Sequence, residues 1–526
     1  MKSPVPSWLR DPWFWALCLA ACLLWLPHLE SSGMLWQDEG ETAVLAKNTL
    51  QFGYPKAFDG INRVNPSVPT GPHTAWTYHT WLQFYVAAAS FWAFGATTMA
   101  ARLPFAVAGV LGVPLAYRVT RMLFEDRGVA RLASLFILCS VPLMLHARQC
   151  RYYALAVLGV LWVLWAYLEI HEGRRQAWWW LAAGFLFLFH SHHGASVPTL
   201  AAVSLDSWRR GILPLQRRTA VLAIVAFVLL IAPWAFILDV SQHQGKFVGR
   251  ELAHHAQFYL RELNHFVIPL QFFALAWLLR GVRPLAWWRA ASPRSRDALG
   301  LVLLLVGCHL AFFVAVPWQR HFRYLIQILP LLYILQAALL WRWLESRRAW
   351  LALVTVTLIA TDILHYSGPY LVGQAIPRLQ RKIAREHGLV APQSLLWDYG
   401  YELTHRYRGP LEGIVEALRH QARPGDTVKI PYGEMPIMFY TGLRLEDPNR
   451  FTIPTYPDWI IPRRDWVSKQ FWRSPYFRTI EQQCERLELS APDLIWENRP
   501  DPGYHKFRTV TDVPPLVIYH RRTSSA

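Results

Sequence analysis

Residues 154–170 read ALAVLGVLWVLWAYLEI, an apolar run that ends shortly before Arg174 and Arg175. A run of this length approaches what a helix needs to cross ~30 Å of hydrocarbon. Basic residues that follow such a run indicate its cytoplasmic end, because cytoplasmic loops carry an excess of Lys and Arg. The stretch therefore predicts a transmembrane helix whose C-terminal end faces the cytoplasm.

Similar runs recur along the first two-thirds of the chain and together predict about eleven crossings. The others lie at about 13–27, 101–120, 130–147, 177–190, 194–206, 219–238, 264–280, 298–316, 325–341 and 349–366. The chain of 526 residues is 53% hydrophobic, and its 27 Trp and 21 Tyr suit membrane interfaces. In a soluble protein the formal charge of +18 would suggest nucleic-acid binding. Here the Arg clusters at the predicted cytoplasmic ends account for that charge, so no nucleic-acid partner is predicted.

One apolar run, residues 76–95, is predicted not to cross. It has no flanking basic cluster, and a crossing there would move every later Arg cluster to the outer side. We therefore expect a helix along the membrane surface, within a first outer loop of residues 30–100. The N-terminus is predicted to be cytoplasmic. The first span is expected to be uncleaved, because no small-residue cleavage site follows Pro27.

The composition changes at about residue 370, where Pro, charged residues and short β-rich runs replace the long apolar stretches. PLEGIVEALRHQ (410–421) has helical periodicity and precedes a turn cluster at 423–426. The runs predicted as strands are DTVKIP (426–431), DLIWEN (493–498), HKFRTV (505–510) and PLVIYH (515–520). The predicted fold class is thus a multi-pass α-helical membrane protein with a C-terminal soluble α/β domain. Residues 1–369 form its membrane module and 370–526 its extracytoplasmic domain.

The first outer loop contains WQDEGETAVLAKN, residues 36–48, with adjacent acids at Asp38 and Glu39. Carboxylates at the mouth of a span could act as a base or hold a cation. Acids at a helix N-terminus are also stabilising in themselves, through capping and the helix dipole. From these residues alone both interpretations stay open.

Further short motifs follow in a fixed order along residues 30–340. They are Asp38-Glu39 with Ala43 and Ala46, Phe94-Gly95, Ala101–Pro104, Arg121–Phe124, Ala147–Arg151, and Arg323–Leu325 with Leu329-Pro330. This order, with the predicted side of the membrane, resembles the family 39 glycosyltransferases of the GT-C superfamily, which include protein O-mannosyltransferases and aminoarabinose transferases. The resemblance implies a GT-C membrane fold.

The resemblance also implies an activity: inverting transfer of a sugar from a polyprenyl-phosphate donor to a lipid, glycan or protein acceptor. The reaction would take place at the outer face of a bacterial inner membrane, among membrane lipids. Asp38 would take the acceptor proton or, equally, orient the acceptor and stabilise developing positive charge. Glu39 would hold the loop or contact the acceptor. A phosphate leaving group needs cations rather than a general acid. The residues implied for the donor phosphate are Arg323, Arg320, Arg148, Arg151 and His79.

The chain departs from the family pattern at three positions. Lys47 stands where relatives have Arg, His79 where several have Lys, and Tyr153 where many have Asp. Tyr153 and Tyr324 are second-tier site candidates. Asp59 is another, although an Asp-Gly sequence also favours a simple turn.

The histidines raise the possibility of a metal site. They cluster at His190, His192 and His193, and at His254, His255 and His265. No metal-ligand spacing is recognisable among them. A divalent metal is therefore possible, but neither a metal site nor a cofactor is predicted. Cys150 and Cys484 could form a bridge outside the cell, which no framework spacing supports.

Two other functions compete with the enzyme. A polytopic transporter or flippase of lipid-linked substrates would favour internal repeats and ionisable groups at mid-membrane. This chain shows no repeat, and its acids cluster in a loop. A structural membrane subunit would make the Asp38-Glu39 pair incidental.

Overall fold

A computed structural model describes residues 10–212, 217–238, 249–279, 292–316, 320–366, 393–495 and 497–522. Up to residue 366 the described chain is almost entirely helical. The α-helices are α1 Pro12–Trp25, α2 Gln37–Phe52, α3 Leu82–Phe94, α4 Thr98–Phe124, α5 Arg127–Leu138, α6 Val141–Ala147, α7 Tyr153–His171, α8 Ala177–Ser191, α9 His193–Arg209, α10 Arg218–Ile237, α11 Gly249–Phe266, α12 Leu270–Leu279, α13 Pro293–Ala315, α14 Leu329–Leu344 and α15 Arg348–Ala360. A helix thus lies at each predicted span. The predicted domain boundary at 369 falls outside the described residues.

Within the described residues, four helical segments are long and apolar enough to cross a membrane: α4, α7, α13, and α14 with the 3₁₀ turn Phe322–Ile328 that precedes it. Two bent helix pairs bring the number to six. The shorter apolar helices include α1, α8 and α15. A multi-pass helical fold is therefore present, and the figure of about eleven crossings remains a prediction.

Two predicted spans are broken rather than continuous. The span at 130–147 divides into α5 and α6, which meet at 60°, and the span at 264–280 coincides with the junction of α11 and α12, bent by 80°. Ser140 caps α6 by accepting a hydrogen bond from Leu143 N, and Pro142 follows in its first turn. A capping residue followed by proline starts a new helix instead of extending the previous one. Pro269 lies just before α12 and has the same effect.

The predicted surface helix at 76–95 is shorter than expected. Helix α3 begins only at Leu82. The Trp81 indole donates to the carbonyl of Trp76 at 2.7 Å, which folds the preceding segment back on itself. Trp92 on this helix is 83% exposed, as a helix that lies along lipid requires.

Residues 393–522 contain a mixed sheet with helices packed against it. The helices are α16 Leu395–Glu402, α17 Pro410–Gln421, α18 Glu434–Thr441 and α19 Pro475–Gln483. The strands are β1 Thr427–Lys429, β2 Arg444–Leu445, β3 Trp459–Ile460, β4 Cys484–Pro492 and β5 Pro515–Arg521, in the order β2-β1-β3-β5-β4. β1 is parallel to β2 and β3, and β5 is antiparallel to β3 and β4. A core that includes Ile414, Val428 and Ile518 fills the space between α17 and the sheet.

The strand predictions were right at β1 and β5 and wrong elsewhere. DLIWEN and HKFRTV form no strand in their described residues. Instead, Asp493 and Glu497 turn toward Arg463, which pairs with Glu497 at 2.9 Å. Strand β4 was missed because its sequence, CERLELSAP, is polar for most of its length and has an exposed face.

Helix α2 lies between the membrane helices and the sheet region. Gly40 contacts Pro436 so closely that a Cβ atom would lie 2.6 Å from its backbone nitrogen. The Tyr440 hydroxyl accepts from Leu35 N at 3.0 Å. The N-terminus of α2, which contains Asp38 and Glu39, is therefore enclosed by both parts of the molecule.

Candidate active site

The first three side chains of α2 contact three different parts of the protein. Gln37 donates from Nε2 to Glu434 Oε1 at 2.6 Å, Asp38 pairs with Arg323, and Glu39 pairs with Arg102. Consecutive residues on a helix point in directions about 100° apart. One helix end can therefore join the sheet region, a span and α4 at a single point.

The Asp38–Arg323 pair is the feature that most resembles a reactive centre. Arg323 Nη1 lies 3.0 Å from Asp38 Oδ2, and the two side chains retain 15% and 23% exposure. The Arg323 guanidinium also lies 5.5 Å from the centre of the Trp36 ring. The residues are far apart in sequence, and the structure brings them together as an ion pair that a ligand can still reach.

Glu39 has a different environment. Its side chain is 0% exposed, and Arg102 donates to both carboxylate oxygens, at 2.8 and 2.7 Å. Cys150 N also donates to Glu39 Oε1 at 2.8 Å. Arg102 further donates to the carbonyls of Leu29, Gly33 and Met34. These contacts fill the carboxylate, so the geometry favours a structural role for Glu39 over the chemical one implied for it.

Arg151 holds the first turn of α2 from the side. Its Nη1 donates to Asp38 O, Glu41 Oε1 and Thr42 Oγ1, all at 2.9–3.0 Å. Its Nη2 lies 3.1 Å from His79 Nε2. Burial raises the pKa of Glu41, with Arg151 opposing that shift. Arg151 and His79 thus lie together behind Asp38, and they fix the backbone that carries the Asp38 side chain.

Arg148 and Arg320 are placed away from Asp38. Arg148 donates to Tyr399 Oη at 2.9 Å and to two carbonyls at the end of the first span, those of Pro27 and His28. It therefore anchors the sheet region to α1. Arg320 is exposed, with its guanidinium 5.9 Å from the Phe258 ring.

Asp59 forms a turn. Its Oδ1 accepts from Ile61 N at 2.7 Å and from Asn62 N at 2.6 Å. An aspartate bonded to backbone amides two and three residues ahead stabilises its own loop. The geometry accordingly favours the simple turn over a site role.

Tyr153 and Tyr324 flank the ion pair. Both hydroxyls are within electrostatic range of Arg323 and Asp38. The Tyr324 ring stacks on Phe313 at 5.8 Å. Tyr153 is 1% exposed, and its hydroxyl has no hydrogen-bond partner among the described residues.

The sheet region supplies two charged residues that the sequence analysis missed. Asp501, 4% exposed, accepts from Arg499 Nε at 2.8 Å, and Arg499 lies 6.0 Å from the Trp36 ring that also underlies Arg323. Burial opposes the ionisation of Asp501, yet Arg499 and Arg323 lower its pKa to about 2. No motif marks this segment, because it reaches Asp38 only through the tertiary fold.

A cavity of about 890 Å³ lies elsewhere, at the predicted cytoplasmic ends of the spans. Its charged lining residues are Arg174, Arg175, Arg209, Arg210, Arg217, Arg218 and Asp297. This is the composition expected of cytoplasmic helix ends, and it lacks a carboxylate comparable with Asp38. The more buried cluster around Asp38 is therefore the candidate site.

The sequence left open a metal site and a Cys150–Cys484 disulfide. Across the described residues, no group of three or more His, Cys, Asp or Glu is arranged to hold a metal ion. His192 stacks on Tyr152 at 4.4 Å and on Phe313 at 6.2 Å. Cys150 and Cys484 are both free thiols.

Comparison with known proteins gives a family match over part of the chain and a shared fold. A family model described as dolichyl-phosphate-mannose-protein mannosyltransferase matches residues 78–237. The crystal structure of ArnT from Cupriavidus metallidurans bound to undecaprenyl phosphate superposes with a TM-score of 0.58 at 14% identity, over 97% of this chain and 98% of that one. Residues 78–237 are thus similar to this mannosyltransferase family, and the chain shares the fold of ArnT. This confirms the resemblance noted from the sequence.

The other comparisons add little to this result. The apo structure of the same ArnT matches equally well, with a TM-score of 0.58 at 14% identity over the same shares of both chains. The Archaeoglobus fulgidus oligosaccharyltransferase gives a TM-score of 0.46 at 14% identity, over 84% of this chain and 65% of that one. That likeness is too low to support an argument. No curated protein sequence matches the chain. At these identities the likeness to ArnT shows a shared fold.

Proposed function

We propose that the protein transfers a sugar from a polyprenyl-phosphate donor to a lipid, glycan or protein acceptor, with inversion, at the outer face of a bacterial inner membrane. The observation that carries this proposal is the accessible Asp38–Arg323 ion pair, 3.0 Å long, at the end of a span. The undecaprenyl phosphate bound to the similarly folded ArnT gives separate support for the donor class.

The donor must meet the protein at the lipid headgroup level, because its chain stays in the bilayer. Arg323 precedes α14 at one end of a candidate span, where such a phosphate would lie. A planar guanidinium binds two phosphate oxygens at once, which suits a leaving group that gains charge as it departs. Arg323 is therefore the principal phosphate ligand in this proposal.

Donor binding would also activate Asp38. In the present structure Oδ2 of the Asp38 carboxylate is paired with Arg323. A donor phosphate competes for the same guanidinium. Once it binds there, Asp38 is released next to the sugar, while Arg151 keeps its backbone in place through the bond to Asp38 O.

The chemical step is a single displacement. The acceptor hydroxyl or amine attacks the anomeric carbon, and its proton passes to Asp38. The bond between that carbon and the phosphate oxygen breaks, and its electron pair stays on the phosphate held by Arg323. One displacement inverts the anomeric centre, as proposed.

The test uses a strain that lacks the protein, complemented with the wild type, D38N or D59N. Envelope lipids, glycans and proteins are compared by mass spectrometry, and membrane insertion is checked by immunoblot. Loss of a general base typically costs about 10²–10⁴-fold in rate. We expect D38N to insert normally, lose the glycosylated product and accumulate the donor. D59N should match the wild type, because an asparagine can form the same turn.

Two results would refute the proposal. Unchanged product with D38N would indicate a scaffold. A substrate that builds up on one side of the membrane, with no change in covalent linkage in any strain, would indicate a transporter.

A further inference from the structure

Among the buried polar atoms near the Asp38–Arg323 pair that have no hydrogen-bond partner in the described residues, two belong to side chains whose rings contact each other. They are Nε2 of His146 and Oη of Tyr153, on side chains 0% and 1% exposed. A buried polar group without a partner costs roughly 1–3 kcal/mol, so such groups are rare unless something else binds them. Two such atoms on neighbouring side chains indicate a binding site in which a ligand supplies the missing hydrogen bonds.

The hydrogen-bond pattern of His146 determines what that ligand must provide. Nδ1 of His146 lies 2.8 Å from the carbonyl oxygen of Pro142. A carbonyl only accepts, so Nδ1 carries the proton. The neutral ring then has a lone pair on Nε2. The missing partner of His146 is therefore a hydrogen-bond donor such as a hydroxyl.

Both side chains border the proposed donor site. The His146 and Tyr153 rings meet edge to face with centroids 5.2 Å apart. On its other side His146 contacts Phe322 at 5.9 Å, directly before Arg323 in the chain. Arg323 is within electrostatic range of both residues. His146 ends α6, whose 60° bend from α5 turns it toward this cluster.

We propose that His146 and Tyr153 form the subsite for the donor sugar. Nε2 of His146 accepts a hydrogen bond from a sugar hydroxyl, and the Tyr153 hydroxyl donates to the phosphate or to the oxygen that links it to the sugar. This inference rests on the proposed function. It goes further by naming the residues that distinguish a sugar-bearing donor from the bare lipid phosphate.

The experiment measures binding of two kinds of probe to the purified full-length protein in nanodiscs. One is undecaprenyl phosphate, which has no sugar. The other is a panel of undecaprenyl-phosphate-linked mannose, glucose and galactose. H146F, H146Q and Y153F are compared with the wild type, and thermal unfolding confirms that each variant folds.

His309 provides a matched control. It is also a fully buried histidine whose Nδ1 contacts the carbonyl four residues earlier, at 2.9 Å, but its Nε2 already has a partner in Thr199 Oγ1 at 3.3 Å. H309F therefore removes a buried imidazole with no vacant acceptor.

We expect H146F to weaken the glycosylated probe about tenfold and to leave undecaprenyl phosphate unchanged, as loss of one hydrogen bond to a neutral group predicts. H146Q keeps an acceptor and should recover part of that loss. Y153F should weaken binding of both probes, and H309F should not affect one probe more than the other.

An equal effect of H146F on both probes, or no effect on either, would overturn the subsite. So would a wild type that binds undecaprenyl phosphate but none of the glycosylated probes. A wild type that binds neither kind of probe would overturn the proposed function itself.

Discussion

Asp38 and Glu39 are adjacent carboxylates, each paired with an arginine, yet their surroundings differ in every respect that matters for chemistry. Glu39 is fully buried and accepts from Arg102 through both oxygens and from Cys150 N through one. Asp38 is 23% exposed, and its pair with Arg323 uses one oxygen of the carboxylate. A carboxylate whose two oxygens both accept hydrogen bonds stabilises the fold, whereas one that is held by a single exchangeable contact can react.

The comparison predicts its largest effect at Glu39. Removing one partner of a buried ion pair leaves an uncompensated charge, at a cost of about 3–5 kcal/mol. We expect E39Q near the upper end of that range, because Arg102 would lose a bidentate partner. The measurement is the yield and thermal midpoint of the purified protein. A stable E39Q protein with normal yield and no transfer activity would reverse the roles assigned to the two acids.

Glu434 extends the comparison to a buried carboxylate that has a neutral partner. It is 6% exposed and accepts from Gln37, and burial raises its pKa from 4.5 to about 7. The folded state therefore holds a proton that the unfolded state releases. Stability conferred by that proton is present below about pH 4.5 and is lost as the pH rises to about 7, by roughly 3 kcal/mol in total.

E434Q should remove this pH dependence. As the pH rises from 5 to 7.5, we expect the thermal midpoint of the wild type to decrease relative to that of E434Q. Parallel curves for the two proteins would show that Glu434 does not titrate in this range. D398N changes a half-buried acid of α16 to its amide and serves as the control.

Arg323 should show a smaller effect than Asp38 if its charge is kept. Lysine preserves one positive charge but loses the planar pair of donors. We expect R323K to insert normally and to lower the transfer rate about 10- to 100-fold, since loss of a whole donor at a developing oxyanion costs 10²–10³-fold. R320K, at an exposed position over Phe258, is the matched control. Equal losses of transfer rate in R323K and R320K would show that Arg323 has no special role in the reaction.

Much of this architecture is accessible from the sequence, because helix length and Arg placement are local signals. The helix Pro410–Gln421 coincides with the predicted PLEGIVEALRHQ. The predicted position of Asp38 and Arg323 at the same face of the membrane allows their proximity, which the tertiary fold then establishes. The different roles of Asp38 and Glu39 cannot be predicted from the sequence, because the contacts of Glu39 come from Arg102 and Cys150, which are distant in the chain.

The missed features share a tertiary origin. Asp501 and Arg499 reach the site because the segment after β4 leaves the sheet to pack on the first loop, where Asn498 Nδ2 donates to Ser32 O at 3.3 Å. His146 reaches it because α6 bends away from α5. A hydrophobic run gives no sign of either event, although the Ser140–Pro142 sequence inside the predicted span at 130–147 was a signal for the bend.

The central claim is that a lipid phosphate displaces Asp38 from Arg323. A structure of the full-length protein with undecaprenyl phosphate, determined by electron cryomicroscopy, tests it most directly. We predict phosphate oxygens within about 3 Å of the Arg323 guanidinium, and the Asp38 carboxylate moved out of hydrogen-bond distance from it. A phosphate bound elsewhere, with the 3.0 Å Asp38–Arg323 pair intact, would contradict the account.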